Sequence, residues 1–493
     1  MPFGRRTRLT PARTTHVTPG RPVMRELIES ILSDAKRRGA TFADLRVQEG
    51  DGTSVSVEDG RADKVYSASH SGAGLRVLVN GAWGFAPTNT VTPEELQRCL
   101  DDALSMAKAA AGHVSEPGMV AEIEPVEATV QATAEIDPRE VSLADRVKRI
   151  VEIEQVVRER DDRIVNARAS YGDGAGSLII ANTFGTWIEQ QSIRCSVRVA
   201  ATAQSGDIRQ FATESEARPG GYEIASNIDP EAWAGAVADR ALALLDAVPA
   251  PAGTIDVIID PRVCGLLAHE AFGHNAEADA VWAGESILAG REGQQVCSPL
   301  VTIADDPSLK NLNGSFVYDH EGVPAQRHDI IVDGILVGYL HSLQTAARLG
   351  VRPNGSARAE DHQSEPIVRM SNTFIDAGDA TLEEIIADTK RGLLLKGGYW
   401  GYVFTARGQF TCNVENAWEI RDGKLGQHYR NASFAGLTLE MLSRVDAVAN
   451  EISFDLGGTC GKNGQGMPVD AGGPYLRIRD VVMGGQQQAG SGQ

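Results

Sequence analysis

The sequence predicts an α+β protein with two large domains. Helical and strand-like segments follow one another without the regular βαβ alternation of a parallel sheet, which favours the α+β class. Turn dipeptides lie between short apolar segments at Asn80-Gly81, Asp333-Gly334 and Asp422-Gly423, as expected of β-hairpins. A chain of 493 residues exceeds what a single hydrophobic core supports, so we expect at least two domains.

Residues 24–247 are predicted to form a mixed N-terminal domain. An amphipathic helix begins at Met24, because apolar side chains then recur at the i, i+3, i+4 spacing. Further helices begin at Thr92-Pro93-Glu94-Glu95 and Asp229-Pro230-Glu231, where a capping side chain precedes a first-turn proline. Another begins near Ser142, where apolar residues line one face. The strand-like segments of this part are 75–79, 83–85, 176–181, 186–190 and 193–201.

The segment Val248–Gly253 is predicted to link the two domains, because it alternates proline with small residues. Residues 254–485 then form a second domain, rich in β-structure. It opens with a buried strand at Ile255–Ile259, and Asp260-Pro261 marks the start of a helix directly after that strand.

The two ends of the chain are predicted to lie outside both domains. Residues 1–23 carry arginines but no apolar segment of the kind found in secretory signals, so we interpret them as a disordered basic extension. Residues 486–493 are polar and glycine-rich and form a tail. No uninterrupted stretch of about 18 apolar residues occurs in the sequence, so a membrane-spanning helix is not expected.

The charge balance and the cysteines further limit the class of protein. The chain has 47 basic and 66 acidic side chains, and its formal net charge of −19 argues against nucleic acid as a partner. Its six cysteines are scattered without a Cys-x-x-Cys pair, which is typical of a reduced protein. We therefore expect a cytoplasmic protein that binds neither nucleic acid nor membrane.

The hexapeptide His269-Glu270-Ala271-Phe272-Gly273-His274 is the strongest candidate for chemistry. It resembles the HExxH signature of zinc peptidases, but its histidines are five rather than four residues apart. In an ideal α-helix, residues i and i+5 point roughly 140° apart, so both imidazoles cannot reach one metal ion. A π-bulge would return them to one face, and Gly273 would make that distortion less costly. If a metal binds, the helix is predicted to be irregular here.

A histidine pair does not complete a zinc site, because catalytic zinc normally takes three protein ligands. Cys460 lies in a glycine-rich loop at 457–466, beside Lys462, which would lower the pKa of the thiol. The same cysteine could instead be the nucleophile of a thiol peptidase or a thiol without function. Spacing alone leaves these candidates for the third ligand: Glu277, Cys297, Asp319, His320, His328, Cys412 and Cys460.

Taken together, the motifs of residues 253–485 resemble those of the TldD/PmbA (TldD/TldE) peptidases. The hexapeptide 269–274 resembles the family's HExxxH element, and residues 458–469 are similar to its cysteine segment near the C-terminus. Between them, residues 319–326, 365–373 and 408–420 are similar to further shared segments, in the same order along the chain. The N-terminal part fits the family's organisation with weaker motifs.

The resemblance implies a two-domain α+β architecture with a zinc site in the β-rich C-terminal domain. It carries the zinc ligands over to His269, His274 and Cys460, and the catalytic glutamate to Glu270. Because all these residues are present, the chain resembles the catalytic TldD member. Family members form two-chain complexes, so a TldE/PmbA-like second subunit, or a second copy of this chain, is the expected partner.

We therefore expect a zinc-dependent peptidase that cleaves short or unfolded peptides, with Glu270 as general base and one Zn²⁺ per chain. Maturation of a peptide-derived product is one role that the resemblance implies. The alternatives are a non-catalytic scaffold subunit and a thiol peptidase that uses Cys460. Arg369 is a weaker candidate for holding a peptide carboxylate, since surface ion pairs are the commoner role of an arginine.

Overall fold

A computed structural model describes residues 21–485 of the chain, and it has the mixed helix and strand content of an α+β protein. The predicted fold class is therefore confirmed. The polar tail at 486–493, and all but the last residues of the predicted basic extension at 1–23, lie outside the described residues. Residues 21–23 belong to the first helix, which begins at Arg21.

The first helix begins at Arg21 rather than at the predicted Met24, and the other predicted helix starts are present with their capping side chains. The Thr92 hydroxyl accepts the Glu95 N–H at 3.3 Å, and the Ser142 hydroxyl accepts the Asp145 N–H at 3.1 Å. Such caps satisfy donors that the first helical turn leaves unpaired. The helices are α1 (Arg21–Arg37), α2 (Pro93–Ala110), α3 (Leu143–Arg158), α4 (Glu223–Ser226), α5 (Pro230–Asp246), α6 (Pro261–Leu267), α7 (His274–Ala276), α8 (Ala278–Trp282), α9 (Leu343–Leu349), α10 (Leu382–Ala387) and α11 (Thr438–Ser443), with a 3₁₀ turn at Pro138–Glu140 and a π-helix at Ala268–Gly273.

The strands outnumber the helices and concentrate in the C-terminal half. The strands are β1 (Phe42–Glu58), β2 (Arg61–Val79), β3 (Ala82–Thr88), β4 (Glu127–Val130), β5 (Ile164–Asn182), β6 (Trp187–Ser205), β7 (Ile208–Pro219), β8 (Val248–Pro249), β9 (Gly253–Ile259), β10 (Ile303–Asp305), β11 (His328–Val332), β12 (Ile335–Leu336), β13 (Ala357–Arg358), β14 (Ile367–Val368), β15 (Asn372–Ile375), β16 (Arg391–Phe404), β17 (Gln409–Arg421), β18 (Lys424–Arg430), β19 (Ala432–Leu437), β20 (Val445–Val448), β21 (Ser453–Phe454), β22 (Gly458–Lys462), β23 (Gln465–Gly473) and β24 (Leu476–Gly485).

One seven-stranded sheet organises the N-terminal part. Its strands lie in the order β3-β2-β1-β5-β6-β4, with β7 also paired to β6. Two hydrophobic cores cover this sheet. Helices α1 and α2 pack over strands β1 to β3 in one core, and α3 and α5 pack over β5, β6 and β7 in the other. The two cores therefore share a single sheet.

The separate strands predicted at 186–190 and 193–201 are wrong, because both belong to the single strand β6. The prediction placed a break at Gln191-Ser192. These two polar residues are exposed but stay paired with Ser177 and Gly176 of β5. Their consecutive side chains point to opposite faces of the sheet, so both faces are exposed at this point, and exposed polar side chains do not interrupt the main-chain pairing of a strand.

The C-terminal part contains a two-stranded sheet, β13-β14, and two larger sheets. In the larger one, strands β16, β9, β24, β19 and β17 pair in this order, and β17 pairs again with β16, which closes a ring of five strands. The other sheet has the order β12-β11-β10-β15-β23-β21, with β22 paired to β23. The largest hydrophobic core of the described residues fills the space between these sheets and surrounds the helical segment that follows β9.

A buried ion cluster joins the two parts of the chain. Arg76 of β2 forms ion pairs with Asp44 of β1 and, at 2.8 Å, with Glu321 of the C-terminal part. All three side chains are buried. Glu321 of the segment 319–326 therefore docks against the N-terminal sheet, which gives this acidic residue a structural explanation. Across residues 21–485, we find no helix with the length and apolar character needed to cross a membrane.

Candidate metal centre

A π-helix separates the two histidines of the hexapeptide. Helix α6 begins at the capping carboxylate of Asp260 and continues as the π-helix Ala268–Gly273 before α7 begins at His274. The His274 N–H donates to the carbonyl oxygen of His269, five residues earlier, which is the hydrogen bond of a π-turn. The predicted irregularity is therefore confirmed, and it turns both imidazoles toward one face.

Gly273 has a different role from the one predicted. Its backbone angles are φ −54° and ψ −56°, which are ordinary helical values, so the distortion does not require the freedom of glycine. Glycine is required here because Met370 packs directly on its Cα, where a Cβ atom would overlap the Met370 sulfur. Ala271 and Phe272 are fully buried in the C-terminal core. The histidine-bearing segment is thus held by apolar packing.

Cys460 lies on a β-hairpin, and the prediction of an irregular loop is wrong. Strands β22 and β23 pair from Gly458 to Lys462, and Asn463-Gly464 forms the two-residue turn with φ of 51° and 77°. Positive φ at both turn residues is the geometry that Asn-Gly favours. The many glycines of this segment had suggested a loop, although the Asn-Gly pair is itself a hairpin signal.

Arg369 forms hydrogen bonds with the main chain of the hairpin. Its guanidinium is buried and donates to the carbonyl oxygens of Cys460 at 2.6 Å and Gln465 at 3.1 Å. The possibility that Arg369 binds a peptide carboxylate is therefore wrong, and a surface ion pair does not describe it either. Its side chain fixes the main chain of the two strands around Cys460.

The hairpin brings Cys460 against the two histidines. The nearest ligand atoms of His269, His274 and Cys460 all lie within 4.8 Å of one another. Cys460 Sγ is 3.5 Å from His274 Nε2, and the two imidazole centroids are 5.1 Å apart. Nδ1 of His269 is buried and has no hydrogen-bond partner within residues 21–485. These three are the one group of possible metal ligands found among the described residues.

The donor set and its spacing fit a zinc ion. Zn²⁺ binds imidazole nitrogen at about 2.0 Å and thiolate sulfur at about 2.3 Å in tetrahedral geometry, so its ligand atoms lie roughly 3.5 Å apart. The distance between Cys460 Sγ and His274 Nε2 has this value. Two imidazoles and one thiolate suit zinc better than magnesium or calcium, which prefer oxygen ligands.

The charges around the site stabilise the form of cysteine that binds metals. Burial alone would raise the pKa of the Cys460 thiol, but hydrogen bonds and charge interactions with His269 and His274 lower this pKa to about 5. Burial also opposes a charged His274, yet the charge of Glu277 and the contact with Cys460 raise the His274 pKa well above its ordinary value. The two histidines, rather than Lys462, therefore favour the thiolate.

Glu277 contacts His274 on the side away from Cys460. Its Oε2 is 3.0 Å from His274 Nδ1, while Nε2 of the same imidazole faces the sulfur. Glu277 is therefore a partner of a candidate ligand, and it does not belong to the ligand cluster. Glu277 follows His274 by three residues, and this helical spacing was a signal in the sequence that could have identified Glu277 as its partner.

The remaining candidates for the third ligand lie elsewhere. Cys297 and Cys412 are buried, and burial raises the pKa of both thiols. Asp319 accepts three main-chain N–H groups, from Glu321, Val323 and Ala357. The other two histidine candidates are also outside the cluster. Nδ1 of His320 accepts the Ala359 N–H, and His328 lies on β11. These residues build the fold around the site.

A cleft of about 900 Å³ gives access to the three residues. Glu270 lines it together with His269, His274 and Cys460, and its carboxylate has no hydrogen-bond or ion-pair partner among the described residues. The N-terminal sheet supplies one wall through Arg198, Thr213 and Ser215, and the end of strand β16 supplies another. The site therefore lies where the two parts of the chain meet.

Comparison with known proteins places the chain in a family. Residues 252–485 match the PmbA/TldA metallopeptidase C-terminal domain, residues 136–245 match the central domain and residues 43–107 match domain 1. A metalloprotease of Methanothermobacter thermautotrophicus is 36% identical over 460 residues, which cover 93% of this chain and 99% of that protein. A zinc metalloprotease TldD homolog of Saccharolobus solfataricus is 25% identical, with coverage of 92% and 99%.

The fold comparison agrees with the sequence comparison. The crystal structure of TldE from Thermococcus kodakarensis superposes with a TM-score of 0.76 at 19% identity, covering 93% of this chain and all of that chain. The three family models and the named relatives define the class as a metallopeptidase. The chain belongs to the PmbA/TldD metallopeptidase family, and it is accordingly a metalloprotease.

Proposed function

We propose that the protein is a zinc-dependent peptidase whose metal is held by His269, His274 and Cys460, with one Zn²⁺ per chain. The observation that carries this proposal is the convergence of these three side chains beside Glu270 in an accessible cleft. The Saccharolobus relative, which is named a zinc metalloprotease, supports the choice of metal. In this proposal, residues 254–485 form the peptidase domain, and residues 24–247 supply one wall of the cleft.

Each residue has a role in the proposed reaction. A zinc ion at this site would lower the pKa of a water molecule and polarise the scissile carbonyl. Glu270 takes the proton of the attacking water and later gives it to the leaving amine. Its carboxylate suits this role because it lines the cleft next to His269 and has no hydrogen-bond or ion-pair partner among the described residues.

We propose short or unfolded peptides as the substrate class. Beyond Leu395, strand β16 pairs with β17 on one edge, and β9 no longer covers the other. The residues of this open edge, among them Tyr399, Tyr402 and Val403, line the cleft. An extended peptide can add to such an edge through main-chain hydrogen bonds, whereas a folded protein cannot present one.

We further propose that the protein works in a two-chain complex, with a TldE/PmbA-like subunit or with a second copy of itself. The similarity of its fold to TldE supports a family in which both kinds of chain share one architecture. A cytoplasmic location is part of the same proposal, since all six cysteines are free and buried.

The decisive variant is Glu270→Gln. We expect it to retain about one zinc per chain and to lose at least about a thousandfold of its peptidase rate, because a neutral amide cannot accept the proton. Purified protein, alone and with any adjacent homologue, would be incubated with a peptide library and the products read by mass. Turnover that survives Glu270→Gln would contradict the mechanism.

The same experiment separates the two alternatives. A thiol peptidase is the second candidate, because the Cys460 pKa is about 5. Such an enzyme would stay active in the presence of a chelator, and alkylation of the protein with zinc bound would abolish its activity. A scaffold subunit would contain no zinc and would cleave no peptide in either condition.

A further inference from the structure

An ion cluster, in which Glu277 is buried and Lys462 and Asp279 are partly exposed, connects the two segments that carry the candidate ligands. Lys462 lies 3.3 Å from Glu277 Oε2 and 2.7 Å and 2.8 Å from the two carboxylate oxygens of Asp279. Its ammonium also donates to the carbonyl oxygen of Val368 at 2.9 Å. One cation thus contacts two carboxylates of the helical segment from a position on the hairpin.

The register places this cluster directly behind the ligand atoms. Lys462 follows Cys460 by two residues on β22, so both side chains point to the same face of the hairpin. Glu277 follows His274 by three residues, and its Oε2 contacts both His274 Nδ1 and the Lys462 ammonium. The chain of contacts therefore runs from the imidazole of His274 to the strand of Cys460.

Burial makes the cluster dependent on the correct docking of the hairpin. Glu277 is 1% exposed, and its other oxygen, Oε1, has no hydrogen-bond partner among the described residues. A buried carboxylate is strongly unfavourable without a counter-ion. Glu277 contacts two groups that can carry positive charge, the neighbouring His274 and Lys462, and Lys462 reaches it only when the hairpin lies against the helical segment.

We propose that Glu277, Lys462 and Asp279 form a clasp that positions His274 and Cys460 for the metal. Glu277 holds the His274 ring so that Nε2 faces the site, and Lys462 holds Glu277 and the Cys460 strand together. All three are positioning residues, since none lies among the ligand atoms. This inference rests on the proposed zinc site and adds a requirement for its assembly.

Zinc affinity of the full-length protein tests the clasp. Metal-free protein would be titrated with zinc in competition with a chromogenic chelator, and its thermal unfolding followed in parallel. We expect Lys462→Met to weaken the Kd for zinc by about 10-fold to about 100-fold, the usual effect of losing a partner of a ligand. Lys462→Arg, which keeps the cation, should recover most of that loss.

Arg146→Met is the matched control. It breaks an equally buried ion pair, Arg146 with Asp173 at 2.8 Å, between α3 and β5, away from the ligands. We expect this variant to unfold at a lower temperature with an unchanged Kd for zinc. A merely structural role for Lys462 would give the same result in Lys462→Met, and that outcome would overturn the clasp.

Two further outcomes separate this inference from the proposed function. Wild-type protein that binds no zinc would contradict the zinc site itself, whatever the variants do. If Lys462→Met does not fold, Asp279→Asn replaces it, because this side chain is one-third exposed and tolerates the change. A several-fold weaker Kd in Asp279→Asn supports the clasp, and an unchanged Kd overturns it.

Discussion

The helical segment and the hairpin carry the proposed ligands of one site but are held in place differently. The π-helix is fixed by apolar packing, with Phe272 fully buried and Met370 pressed on Gly273. The hairpin is fixed by polar groups, because Arg369 binds the carbonyl oxygen of Cys460 and Lys462 pairs with Glu277. Cys460 and Val469 of the hairpin also belong to that core, so the hairpin differs from the helical segment by these additional polar contacts.

This difference indicates that one part of the site is fixed by core packing, whereas the other also depends on specific polar contacts. Packing in a core is insensitive to salt and pH, while ion pairs and hydrogen bonds form only in the correct geometry. The helical segment is therefore positioned by the core, and the hairpin completes the site when its hydrogen bonds and ion pairs have formed. Variants in the two segments should fail in different ways.

The largest expected effect comes from removing the ligand on the hairpin. Cys460→Ala should weaken zinc binding by at least about a thousandfold and abolish peptidase activity, because two histidines alone do not hold a catalytic zinc. The metal-free variant should still fold, since Arg369 binds the main chain of residue 460 and not its sulfur, but it should lose the stability that the Cys460 thiolate contributes at neutral pH. Metal analysis and urea unfolding of the metal-free variant measure the two effects. Full zinc content in Cys460→Ala would contradict the ligand assignment.

An intermediate effect is expected in the helical segment. Gly273→Ala introduces a Cβ atom that overlaps the Met370 sulfur, and overpacking of this kind costs about 1–3 kcal/mol of unfolding free energy. Zinc affinity should fall with it, because the backbone shift moves both histidines. Urea unfolding of Gly273→Ala, Met370→Ala and the double variant measures the coupling. If the two single effects simply add, the contact with Met370 is not the cause.

The smallest effect concerns the pH dependence of the thiol. Because the Cys460 pKa is about 5 in the folded protein against an ordinary value of 9.0, the thiolate stabilises the fold at high pH. This contribution decreases as the pH falls from about 9 and is lost below about 5. In metal-free protein, the rate of Cys460 alkylation should change less than about twofold between pH 7 and 8. A roughly tenfold rise, as in a protein unfolded in urea, would show an ordinary thiol.

The sequence predicted the helical half of the site more completely than the hairpin half. The five-residue spacing of His269 and His274 required a distorted helix, and this follows from local geometry alone. Cys460 was one of seven candidates for the third ligand, because tertiary structure brings residues 186 positions apart to 3.5 Å. The resemblance to a family, and not the spacing, selected it.

The misread elements have local physical reasons. The exposed pair Gln191-Ser192 looked like a break in β6, because a polar dipeptide in a strand and one in a loop have the same composition. The glycines around Asn463-Gly464 looked like a loop because the strand signal of β22 is weak. Arg369 contacts the hairpin through buried main-chain hydrogen bonds, which composition and spacing do not reveal, whereas the spacing of Glu277 from His274 was a usable signal.

The ion cluster of Arg76, Asp44 and Glu321 has a consequence for any attempt to separate the two halves of the chain. Arg76 and Asp44 would stay paired in the N-terminal half, whereas Glu321 would lose its counter-ion. The same separation would remove the wall of the cleft that carries Arg198 and Thr213. The C-terminal half alone would therefore keep the three candidate ligands but lack one side of the cleft.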